Sequence, residues 1–80
     1  MPQPLTPEEK GRQILDAFAN FNTKAGEGLL PGSISAYFEN NRLDQQDILP
    51  GLEYAGEQEW IENGPNNFIL LTANGYTQRP

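Results

Sequence analysis

The chain has no cysteine and no histidine. Disulfide staples, thiolate chemistry and Cys/His zinc sites are therefore excluded, and an apolar core alone must hold the fold. Long apolar runs are missing too. The longest, "FILL" at Phe68 to Leu71, falls far short of the roughly 20 residues that span a bilayer. The opening "MPQPLTPEEK" has no basic segment leading into an apolar stretch, so it does not read as a signal peptide and a cytoplasmic protein is expected. Basic residues are scarce: 5 against 11 acidic ones, for a net charge of −6. The imbalance is uneven. Residues 1–42 carry four basic and five acidic side chains, whereas residues 43–80 carry one basic group, Arg79, and six acidic ones.

What is present suffices for one domain. Eighty residues allow a single core that buries about 60% of the unfolded chain's surface. The initial methionine and a full set of elements lead to the expectation of a whole small protein. Thr6, Pro7 and Glu9 form a helix start with a capping box, followed by Ile14, Leu15, Phe18 and Phe21 at helical spacing. Gly11 interrupts this pattern at about 1 kcal/mol relative to alanine. Leu29 and Leu30 suggest a short strand, and Ser33 is placed as the cap of a second helix burying Ile34 and Phe38, with Asn40 and Asn41 as its stop. Asp44 caps a third helix whose Ile48, Leu49, Leu52 and Ala55 are expected on the core side, with a kink or a later start near Pro50. Beyond Gln58 the period changes to alternation. "WIEN" and "NFILL" then read as two strands around "NGPNN", and Thr72 caps a last turn.

Three helices closed by a hairpin, with "LEYAGEQEWIENGPNNFILLTANGY" at the end, resemble a winged helix-turn-helix domain. The matching positions include Leu52, Trp60, Ile61, Leu71, Thr72 and Gly75; Glu59 stands where such domains often carry glycine. The resemblance implies an α+β, winged-helix-like fold, with three helices packed in one core and a C-terminal β-hairpin wing. The expected limits are a tail over residues 1–5, a domain over 6–76 and a second tail over 77–80. It also implies a DNA-binding transcriptional regulator that reads the major groove with its third helix. The residues of that helix point elsewhere. Gln45, Gln46, Asp47, Glu53, Glu57 and Gln58 include no cation, and phosphate neutralisation supplies much of the affinity for DNA. Gln45 and Gln46 suit adenine edges, and Lys10, Arg12, Lys24 and Arg42 are the basic residues available for nucleic acid, if they converge.

The preferred expectation is a non-catalytic protein-interaction module. Strand alternation sends Ile61, Ile69 and Leu71 inward and Trp60, Phe68 and Leu70 outward, as a patch for a protein partner or for self-association. Against this stands the reading that Tyr76, the C-terminal turn or the end of the third helix covers Trp60. Asp44, Asp47, Glu53, Glu57, Glu59 and Glu62 suit a basic protein surface, a hard cation, or simply a solvated face. Glu53 and Glu57 are the residues favoured for a partner. Glu57 with Glu62 is the one carboxylate pair to consider for catalysis, and Ser33 and Ser35 lack a histidine base. No EF-hand or phosphate-loop spacing occurs, so no cofactor, metal or enzymatic activity is expected.

Overall fold

The free N–H groups at a helix start need acceptors, and the side chains of Thr6, Asp44 and Thr72 supply them at three helical starts. A computed structural model describes residues 5–79; residues 1–4 of the expected tail over 1–5, and Pro80, lie outside them. Helix α1 spans Pro7–Asn20. The Thr6 hydroxyl accepts from the Glu9 N–H at 3.1 Å, and the Thr6 N–H donates to the Glu9 carboxylate at 2.9 Å. After strand β1 (Gly28–Leu29), helix α2 runs over Pro31–Asn40. It starts two residues before the expected Ser33 cap, because Pro31 brings a fixed φ and no N–H to the first helical position. Asp44 caps a 3-10 turn at Gln45–Asp47 by accepting from the Gln46 N–H at 2.8 Å. Helix α3 (Ile48–Glu57) continues from that turn. Pro50 falls in its first turn, where an N–H has no intrahelical acceptor, so no helical bond is lost.

Strands β2 (Ile61–Asn63) and β3 (Ile69–Leu71) flank a tight turn, and helix α4 (Ala73–Gln78) takes in Thr77 and Gln78, which were expected in a tail. Asn66 and Asn67 turn the hairpin with φ of +57° and +66°. The sheet is antiparallel, in the order β1-β3-β2, with Leu29 opposite Ile69 and Glu62 opposite Leu70. The fold is thus α+β, with four helices and a three-stranded sheet among the described residues. Its order is compatible with a winged-helix-like arrangement.

The first three helices all end alike, in Schellman motifs without glycine. Asn22, Arg42 and Glu59 take left-handed φ values of +53°, +57° and +61°. The next residue in each case, Thr23, Leu43 or Trp60, donates its N–H back to Phe18, Phe38 or Ala55 at 2.8–3.0 Å. Arg42, and not Asn40 or Asn41, is therefore the left-handed residue that stops α2. Asn41 instead donates its side-chain amide to the Tyr37 carbonyl at 2.8 Å.

Phe18, Phe38, Ile14, Leu15, Ile34 and Leu71 are fully buried. Two residues expected in this core lie outside it. Phe21, at the C-cap of α1, is 44% exposed, and Leu49, on the outward face of α3, is 67% exposed. Helices α1 and α3 approach closely at Gly51, where a Cβ would sit 2.6 Å from the Lys10 carbonyl oxygen. Gly11 has its own packing reason: a Cβ there would lie 2.7 Å from the Tyr54 ring. Among the described residues no helix is long and apolar enough to cross a membrane.

Candidate binding groove between helix α3 and the hairpin

Trp60 does not join Phe68 and Leu70. Strand alternation places it on the outer face of the hairpin, but it closes the Schellman motif of α3 and β2 starts one residue later. Its ring turns back against the helices and keeps only 7% exposure. Tyr54 meets it edge-on with centroids 5.5 Å apart, and the Arg12 guanidinium lies 5.4 Å from the ring centroid. Leu70 is half-buried and covers Gly28 and Gly64, whose added Cβ atoms would come within 2.6 and 2.7 Å of it. Phe68, 37% exposed, faces a separate hollow that it shares with Leu30, Pro31 and the hairpin tip. The outer patch of three large apolar groups therefore does not form.

The acidic residues also divide. Asp44 caps the 3-10 turn, and Asp47 pairs with Lys10 at 3.5 Å. Glu59 is the left-handed residue after α3. The remaining three, Glu53, Glu57 and Glu62, line one open groove of about 600 Å3 between α3 and the hairpin. Leu52, Ile61 and Ile69 supply its apolar surface, and Gly56 and Asn63 complete the lining. The groove thus pairs apolar area with negative charge and has no cation in its wall. Among the described residues the ion pairs are Lys10–Asp47 and Arg12–Glu8, so none of these three glutamates has a counter-charge. On the other flank of α3, Glu53 and Glu57 also border a shallow hollow with Pro7, Pro50 and Tyr54. These two side chains form the ridge between the two concavities. No group of three acidic residues among the described residues is arranged to hold a metal ion.

The basic residues considered for nucleic acid lie elsewhere. Lys10 is held by Asp47, and Arg12 by Glu8 at 3.4 Å, by the Trp60 ring and by the Gln78 carbonyl at 3.5 Å. Lys24 sits in the loop after α1, and Arg42 occupies the left-handed turn after α2. Gln45 is committed as well: its amide donates to the Ser35 carbonyl at 2.9 Å and accepts from the Ser35 hydroxyl at 2.8 Å. That exchange ties the turn before α3 to α2. Gln46 stays exposed. Away from the groove, burial raises the Asp16 carboxyl above its ordinary 3.8, opposed by Arg12. Burial also raises Tyr37, with the nearby Asp16 charge adding to the effect.

Glu53 and Glu57 could be read from the sequence as exposed acids four residues apart on one helix. Glu62 was legible through strand alternation. Gly56 was missed, because a glycine late in a helix carries no sequence signal for an open floor. Comparison of the chain with models of protein families, with curated proteins and with solved structures finds no match.

Proposed function

We propose that the chain is a non-catalytic protein-binding module on a winged-helix-like scaffold. Its groove between α3 and the hairpin receives a cationic, partly apolar polypeptide segment. One observation carries this reading: Leu52, Ile61 and Ile69 lie beside three glutamates that no other described group neutralises. Apolar area supplies non-directional affinity, while the carboxylates select lysine or arginine and speed encounter. The element order and the sheet order β1-β3-β2 support the scaffold.

A duplex on the same face would bring phosphates against Glu53, Glu57 and Glu62. Repulsion at contact distance is not hidden by a Debye length of about 8 Å. Calorimetric titration with a lysine-rich peptide tests the reading. Wild type is expected to bind it, and Glu53→Gln/Glu57→Gln to bind it about tenfold more weakly. A gel shift with duplex DNA at about 50 mM salt provides the opposing result. Tight binding there, weakening steeply with added salt, would make the chain a DNA-binding regulator instead.

A further inference from the structure

The order β1-β3-β2 leaves β2 at an edge of the sheet. Two hydrogen bonds fix which of its backbone groups are engaged. The Thr72 N–H donates to the Trp60 carbonyl at 3.0 Å, and the Gly64 N–H donates to the Phe68 carbonyl at 2.8 Å. Residues of an antiparallel strand turn their N–H and C=O to alternate sides. Glu62, in step with Trp60 and Gly64, therefore faces β3. Ile61 and Asn63 turn their N–H and C=O groups to the free edge, beside the acidic groove.

Gly56 adds an independent observation. It lies in α3, where glycine is a poorer helix former than alanine. Packing does not demand it: a Cβ there would meet nothing within 4 Å, whereas one on Gly51 would strike the α1 backbone. Gly56 lines the acidic groove and also the neighbouring hollow formed by Glu59, Ile61, Glu62, Thr72, Ala73 and Asn74. Both concavities run along β2, and the missing side chain keeps the space between them open.

We infer that the cationic partner binds as an extended strand, adding to the free edge of β2 and passing over Gly56. This rests on the reading of the groove given above. Main-chain hydrogen bonds to Ile61 and Asn63 give the segment its register, and alternate side chains reach the glutamates and the apolar wall. A second copy of the chain is a poor occupant. With a net charge of −6 it would bring its own Glu59 and Glu62 to the same edge, where like charges oppose pairing.

The test uses 15N-labelled protein and a blocked hexapeptide of alternating lysine and valine. The amides of Ile61 and Asn63 should shift and gain protection from exchange, while that of Glu62, already in the ladder, should change little. An analogue N-methylated on the edge-facing amides should bind about tenfold more weakly. Gly56→Leu should fold at least as stably as wild type and lose the peptide. If the N-methylated analogue binds equally well, or a helix-forming lysine–leucine peptide of the same charge binds better without protecting Ile61 and Asn63, strand addition is wrong and the groove reading stands. If neither lysine peptide binds the unmodified protein, the groove reading itself falls, and this inference with it.

Discussion

Glu59 adopts a backbone conformation better suited to glycine, with φ of +61°. A non-glycine residue there costs on the order of 1–3 kcal/mol, partly offset by the chain entropy that glycine would lose. Glu59→Gly, and likewise Arg42→Gly, is therefore expected to raise stability by about 0.5–1 kcal/mol, read as a higher urea midpoint with an unchanged slope. Asp16 gives a pH-dependent expectation. Its folded carboxyl binds the proton more tightly than the unfolded one, whose ordinary value is 3.8. The native state then holds more protons within that window, so this residue's contribution to stability falls as pH rises through it. Asp16→Asn should accordingly be more stable than wild type at pH 7, and the advantage should vanish in acid below 3.8, as measured by urea unfolding across pH.

At the scale of elements, the motif around "LT..G" acts as a clasp. The Thr72 hydroxyl accepts from the Gly75 N–H at 3.0 Å to start α4, and donates to the Glu59 carbonyl at the end of α3. Thr72→Val removes both bonds and should cost about 1–2 kcal/mol. Gly75 admits no side chain, because a Cβ would collide with the Trp60 carbonyl oxygen. Gly75→Ala should cost about 2–4 kcal/mol through forced displacement of α4, seen as a lowered thermal midpoint. Helix starts were largely legible in the sequence, since Thr6, Asp44 and Thr72 announce themselves by side-chain chemistry. The exceptions are α2 and α3, whose own N-caps Leu30 and Asp47 make no side-chain bond. Helix stops were less legible, because arginine and glutamate fill positions usually marked by glycine. The misplacement of Trp60 follows directly from that. Once Glu59 is taken for the run-up to a strand, the next residue is assigned to a strand face when it belongs to a helix terminus.

Over the whole molecule, charge and architecture point different ways. The arrangement of helices and sheet is compatible with a scaffold associated with nucleic acid, yet the sequence pI is ≈ 4.3 and the groove wall is acidic. Long-range attraction should therefore accelerate cationic partners. The association rate of the lysine–valine peptide, measured by stopped flow, is expected to fall several-fold between about 10 and 150 mM salt as the Debye length shortens. The two glutamates of the α3 ridge were visible in the sequence. Their convergence with Glu62 was not, because it depends on how the hairpin folds beside the helix. The chain's only tryptophan, Trp60, is packed under Arg12 and is not among the residues that line the groove. Its emission should redden when the protein unfolds and hold steady when the groove fills, so the native chain carries an intrinsic dye that separates variants unable to fold from variants unable to bind.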